Sequence, residues 1–278
     1  MATVVAVSSF VARGTVGLRA IMPTLDRMGH EAIACPTILL SNHLGHPRAA
    51  GDPVPLETLA KMVEMLDANG WLAGASAVLT GYLPSPDHVA LVERLIQRLK
   101  AVRPDAIIFC DPVLGDDPMG LYVPANVADA VRDRLVPLAT HMKVNRFELS
   151  FLAGRNVECM SDVVAASRAL PAPVVLASSI AAPDDRLANV VVTPDDAVQC
   201  SVAREDDVPH GTGDLLASLF LSQILEGVEP TESAARAAAG VARVIELSRG
   251  KDELQLFEPE SWHQAAALPV TKAGTDIG

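Results

Sequence analysis

Residues 210–225 read HGTGDLLASLFLSQIL. The segment passes from two closely spaced glycines straight into a run with almost no polar face. Gly211 and Gly213 let the backbone approach a ligand closely. They stand at a helix start, where free N–H groups and the helix dipole attract an anion. Asp214 falls in the first turn beside that anion site. A carboxylate there can take a proton from an attacking hydroxyl while the amides of Gly211, Thr212 and Gly213 hold a phosphoryl group. An ordinary helix start with a favourable first-turn acid reads the same way. Neither GxGxxG nor GxxxxGK[ST] occurs, so the segment is not a dinucleotide fingerprint or a Walker loop.

Upstream, strand-like apolar runs alternate with helical stretches nearly from end to end. The strands expected are Thr3–Val7, Ala32–Leu40, Ala75–Leu79, Ala106–Cys110, Met142–Val144 and Val174–Ala177. The helices expected are Gly17–Met28, Leu56–Ala68, His88–Val102, Val127–Leu135, Arg146–Leu152, Asp162–Leu170, Thr212–Leu225 and Thr231–Ser248. Val190–Thr193 and Ala197–Ser201, split by Pro194-Asp195-Asp196, read as an antiparallel pair. This order implies right-handed crossovers and a mostly parallel sheet covered on both faces, whose ligands gather at the carboxyl ends of the strands. Residues 1–278 read as a single α/β domain, with the last ten residues expected to fray.

Composition narrows the function. Half of the residues are apolar, and the formal net charge is -12, which argues against a nucleic-acid partner. Cys35, Cys110, Cys159 and Cys200 are scattered and form no CxxC pair, as expected for reduced thiols rather than a disulfide framework or a zinc site. The N-terminus MATVVAVSSF lacks a basic n-region and its apolar run is short, so neither a signal peptide nor a membrane span is expected, and a cytoplasmic location is.

Two further motifs fall at strand ends. Asn145-Arg146-Phe147-Glu148 places an amide and a carboxylate on one face of a helical turn, able to position hydrated Mg²⁺ and phosphates. The same spacing also describes, and taken alone favours, a helix N-cap completed by a capping box. Asp111-Pro112-Val113-Leu114-Gly115-Asp116 carries two acids on a loop, suited to metal or phosphate work or simply to a turn. The histidines show no ligand spacing; His43 and His46 lack a third partner, and His210 is read as merely preceding the glycine loop.

The order DPVLGD, NRFE, GTGD resembles the ribokinase-like superfamily of ATP-dependent kinases, and within it the pyridoxal kinases. VSSFVARGTVGLRAIMPTLDRMG, TILLSNHLGHP, VLTGYLPS, KVNRFELSFLAGR and VVLASS follow in that family's order, over roughly residues 1–250. The resemblance implies a three-layer α/β/α sandwich with a small β extension. It implies Asp214 as the base for the 5′-hydroxymethyl of pyridoxal, Gly211, Thr212 and Gly213 as the anion hole, and Ser9, Leu44 and Tyr82 near the pyridine ring. Asp111, Asp116, Lys143, Asn145, Glu148, Ser178 and Thr212 would lie on the ATP side, with Asp116 and Glu148 holding metal. Mg²⁺, often with a monovalent cation such as K⁺, and a homodimer are implied as well. The chain departs from the family at Phe10 (commonly His), Leu18 (commonly Asn), Leu44 (usually Thr), Lys143-Val144 (usually Thr-Pro or Ala-Pro) and Ala177 (usually Thr or Lys). Lys143 is expected to reach a phosphate or to be solvated.

Two alternatives stay beside this reading. One is a kinase for another small alcohol such as hydroxymethylpyrimidine, although many B6-active members of that branch carry Cys at the position of Asp214. The other is a B6-binding homologue of low turnover, since Leu18 and Leu44 remove polar contacts.

Overall fold

The computed structural model describes residues 1–274. In chain order the elements are β1 (Thr3–Val11), α1 (Leu18–Arg27), β2 (Glu31–Leu40), β3 (Gly51–Pro53), α2 (Leu56–Ala68), α3 (Trp71–Gly74), β4 (Ala77–Thr80), α4 (Pro86–Val102), β5 (Ile107–Cys110), β6 (Gly115–Asp116), β7 (Gly120–Leu121), α5 (Ala125–Ala130), β8 (His141–Asn145), α6 (Arg146–Ala153), α7 (Met160–Ala169), β9 (Val174–Ala182), β10 (Arg186–Val192), β11 (Ala197–Ala203), α8 (Thr212–Leu225), α9 (Pro230–Leu247) and β12 (Thr271–Lys272).

Ten strands form one sheet in the order β12-β11-β10-β9-β8-β5-β4-β1-β2-β3, with β6 and β7 as a separate pair. From β9 to β2 neighbouring strands run parallel. The additions at both edges are antiparallel: β3 on β2, and β10, β11 and β12 beyond β9.

Successive strand residues point to opposite faces, and both faces are covered. Val5, Val7, Val78, Ile108, Met142 and Val144 pack in one core with residues of α2, α4, α6 and α7. Val4, Ala6, Ala77, Leu79, Phe109 and Leu176 pack in a second with α1, α8 and α9. That double burial is why the strands read as unbroken apolar runs. Helix α8 is buried continuously from Leu215 to Gln223 between the sheet and its neighbours, which accounts for its lack of a polar face.

The structure differs from the sequence expectations at several places. β1 and β9 run past their expected ends; β9 continues through Ser178 and Ser179, the latter at φ 58°, instead of stopping there. The helix expected over Val127–Leu135 begins at Ala125 and changes to a π-turn over Val131–Leu135. Within the expected fraying tail, Val198 and Gln199 pair with Lys272 and Thr271, while residues 275–278 lie outside the described residues. Among the described residues, no helix is long and apolar enough to cross a membrane.

Candidate active site

The carboxyl ends of β1, β4, β5 and β8 open toward the N-terminus of α8. Gly211 is the N-cap of α8 at φ 106°, and a Cβ there would lie 1.9 Å from the Thr15 carbonyl oxygen, so only glycine fits. Asp214 follows in the first turn. Its Oδ2 accepts the backbone N–H of Gly17 at 2.9 Å. Gly17 has φ 54°, and a Cβ on it would stand 2.3 Å from both the carbonyl oxygen and the Oγ of Ser9. Ser9, Gly17 and Asp214 therefore form one contact chain from the end of β1 to the start of α8. Burial pushes the Asp214 carboxyl above its ordinary pKa, opposed by the Gly17 N–H and by Lys143.

A second set of charges lies beside it. Lys143, on β8, is 6% exposed, which removes the solvated reading. Its Nζ stands 3.3 Å from each carboxylate oxygen of Asp111 at the end of β5. A Cβ on Gly213 would fall 2.8 Å from the same Nζ, so the ammonium borders the glycine cradle. Burial by itself lowers the pKa of Lys143, but Asp111, Glu148 and Asp214 outweigh it and hold the ammonium above its ordinary 10.5. Burial also pushes Asp111 up, with Lys143 opposing it.

The capping-box alternative for Asn145 and Glu148 is what the structure adopts. Asn145 Oδ1 accepts the Glu148 N–H, and Glu148 Oε2 accepts the Asn145 N–H, both at 2.9 Å. The box also fastens the acidic loop: Glu148 Oε1 accepts the Leu114 N–H at 2.9 Å, and Asn145 Nδ2 donates to the Gly115 carbonyl at 2.7 Å. These bonds hold a loop in which Val113, a β-branched residue, sits at φ 48°, an uncommon and costly conformation. Burial raises the Glu148 carboxyl, against Lys143 and the backbone N–H groups of Asn145, Leu114 and Gly115.

The two acids of that loop part company. Asp111 turns inward at 3% exposed, whereas Asp116 is exposed and within electrostatic reach of His210. Ser178 is buried and its Oγ donates to the Val144 carbonyl at 3.3 Å. Tyr82 is pinned through its backbone: its N–H donates to Ser8 Oγ at 3.2 Å and its carbonyl accepts from Thr37 Oγ1 at 2.7 Å. Leu44 is 60% exposed, outside the cluster. Its loop nonetheless rests on the approach to α8, where the His43 and His210 rings lie 4.0 Å apart.

Sequence reasoning missed three participants. From the sequence, Gly17 reads only as the start of a helix. Tyr122, 51% exposed on the loop, carries a phenol whose pKa is pushed up by partial burial and by the Glu148, Asp111, Asp116 and Asp214 carboxylates; one tyrosine in a loop gives no periodic signal. The His210 ring packs at a tilt against His43, a pairing between distant segments.

Among the described residues, no group of three or more His, Cys, Asp or Glu side chains is placed to hold a metal ion. An exposed Asp116 and an amide-bonded Glu148 suit Mg²⁺ that keeps its waters and binds chiefly through nucleotide phosphates. They do not make a protein cage. Beside Asp111, the position a monovalent cation would take is filled by the Lys143 ammonium.

Comparison with known proteins accords with this geometry. The model of the phosphomethylpyrimidine kinase family matches residues 12–256. The pyridoxine/pyridoxal/pyridoxamine kinase of Bordetella bronchiseptica is 37% identical over 264 residues, covering 92% of this chain and 93% of that protein. The pyridoxal kinase PdxY of Corynebacterium diphtheriae is 28% identical over 96% of each. Among solved structures, pyridoxal kinase from Leishmania donovani in complex with ADP and pyridoxamine superposes with a TM-score of 0.90 at 27% identity, covering 97% of this chain and 98% of that one. The Entamoeba histolytica pyridoxal kinase reaches 0.91 at 26% identity, covering 98% and 99%. This chain, with its ribokinase-like fold, belongs to the pyridoxal kinase family.

Proposed function

We propose that residues 1–278 form a single kinase domain that transfers the γ-phosphoryl group of ATP to the 5′-hydroxymethyl oxygen of pyridoxal, pyridoxine or pyridoxamine, as in B6 salvage. The observation that carries this reading is the Asp214 carboxylate, held by the Gly17 N–H at 2.9 Å at the mouth of the glycine cradle. The relatives carry B6 vitamers in their names, and the Leishmania donovani enzyme has been solved with ADP and pyridoxamine and with ADP and pyridoxine.

In this reading Asp214 accepts the proton of the hydroxymethyl group as its oxygen attacks. A P–O bond forms to that oxygen, the bond from the γ-phosphorus to the β-phosphate oxygen breaks, and ADP leaves. The N–H groups of Gly211, Thr212 and Gly213 hold the moving phosphoryl group, whose charge suits a helix N-terminus. Ser9 and Tyr82 flank the pyridine ring, with Leu44 on the substrate side. Asp111, Lys143, Asn145, Glu148 and Ser178 line the nucleotide side. Asp116 and Glu148 would hold Mg²⁺ that arrives with ATP, and it would neutralise the phosphate charge. The expected setting is cytoplasmic and the expected assembly a homodimer, which light scattering tests.

The decisive experiment is an ADP-coupled assay with pyridoxal, pyridoxine, pyridoxamine, hydroxymethylpyrimidine and ribose as acceptors. ADP formation with a B6 vitamer at the highest kcat/KM supports the reading. A higher kcat/KM for hydroxymethylpyrimidine would move the chain to the activity named by the family model. Equilibrium binding of pyridoxal without ADP formation would make it a binder.

A further inference from the structure

Lys143 lies where three functional segments meet. Both oxygens of Asp111 stand 3.3 Å from its Nζ, and the Cβ position of Gly213 stands 2.8 Å from it. Glu148 and Asp214 act on it through space. Asp111 and Glu148 are almost fully enclosed, at 3% and 1% exposed. Carboxylates so enclosed need a permanent counter-charge, because an isolated buried charge is costly. Mg²⁺ that arrives with ATP supplies one only while nucleotide is bound. Lys143 supplies one throughout.

The geometry also leaves the ammonium a free direction. A lysine has three N–H donors. Asp111 takes at most two of them, and Gly213 is the cradle glycine on the remaining side. Lysine, a compact point charge, serves well as a phosphate binder in such a position.

We infer that the Lys143 ammonium is a built-in cation, standing among Asp111, Glu148 and Asp214 in the place of a resident monovalent ion and donating to the phosphoryl group on the cradle. The phosphoryl contact rests on the proposed kinase reading; the charge-balancing role does not. The enzyme therefore needs no K⁺. Replacing Lys143 by threonine opens a space lined by carboxylates and a hydroxyl, the donor types that bind alkali cations.

The test compares KCl with tetramethylammonium chloride at equal ionic strength, reading Tm without nucleotide and kcat with ATP and pyridoxal. Wild type is expected to show the same Tm, and kcat within about twofold, in both salts. Lys143→Thr is expected to lose about 10²-fold in kcat in tetramethylammonium, the usual cost of one preorganised electrostatic group. KCl should restore most of that activity and raise the Tm of the variant. Lys143→Met should lose as much activity with no restoration by KCl, since it fills the space without donating oxygen. A wild-type Tm or kcat that responds specifically to K⁺ overturns the inference. So does a Lys143→Thr protein whose Tm and kcat ignore K⁺, Na⁺ and NH₄⁺ alike. If Lys143→Thr does not fold in either salt, the wild-type comparison decides. If no B6 vitamer is phosphorylated, the kinase reading fails while the Tm comparison still tests the charge-balancing role.

Discussion

Gly17 donates its backbone N–H to Asp214 Oδ2 at 2.9 Å across 197 positions of sequence. The bond joins the loop after β1 to the first turn of α8 and orients the carboxylate. It also moderates the effect of burial, which drives that carboxyl upward. A general base works best when its pKa lies near the working pH. Burial moves the Asp214 carboxyl upward, and one amide and one nearby ammonium restrain that rise.

Asp214→Asn keeps the shape and can still accept the Gly17 N–H through its amide oxygen, but it cannot take a proton. Turnover with pyridoxal and ATP is expected to fall by about 10²–10⁴-fold, the usual worth of a positioned base. Affinity for pyridoxal, read by absorbance titration, should change little. Near-normal kcat would remove Asp214 from the mechanism.

Gly17→Ala tests the backbone that orients the Asp214 carboxylate. The added Cβ would meet the carbonyl oxygen and Oγ of Ser9 at 2.3 Å, with φ at 54°. A non-glycine residue in such a region costs about 1–3 kcal/mol before any clash is counted. Lower stability in urea is expected, together with a kcat loss exceeding the change in KM. Gly29→Ala is the control: its φ is 76°, yet nothing lies within 4 Å of its added Cβ, so it should cost stability and spare kcat.

Much of this was readable from residue order, because the strands are buried on both faces and so read as unbroken apolar runs. The bounds of α2 and α8 coincide with those expected from helical spacing and from the GTGD start. What could not be read are contacts between segments far apart in sequence. Asp111 and Asp116 sit in one motif, yet one points into the core and the other to solvent. By spacing, Asn145 and Glu148 allow a metal site but favour a capping box; only the N–H groups of Leu114 and Gly115 reveal that the box also holds the neighbouring loop. Lys143 looked like an isolated departure because its partner Asp111 lies 32 positions away.

Leu44→Thr probes the substrate side. Leu44 is 60% exposed, on the loop whose His43 rests on His210. Its replacement should leave Tm within error, since little packing is lost. A hydroxyl that gains one hydrogen bond to pyridoxal contributes about 0.5–1.5 kcal/mol, so KM should fall by about 2- to 10-fold with kcat retained. An unchanged KM for all three vitamers would place the loop away from the ring.

Acid should weaken the fold through His141. This residue begins β8, at the amino end of that strand, with its Nδ1 3.0 Å from Thr140 Oγ1 and its ring stacked on Phe109. Burial lowers its pKa from 6.5 to about 4. Above 6.5 the ring is neutral whether the chain is folded or not, and no stability is lost. Between 6.5 and about 4 the unfolded chain takes up a proton that the folded one refuses, so stability falls as the pH falls. At pH 5 the loss from this one group is about 2 kcal/mol, and below about 4 it levels off. His43, also lowered to about 4, by burial and then by His210 and His46, adds to the same window. Urea unfolding at pH 7 and pH 5 should therefore show a smaller pH-dependent loss in His141→Gln than in wild type, by roughly 2 kcal/mol. Identical losses in the two proteins would mean that His141 titrates alike in the folded and unfolded chain.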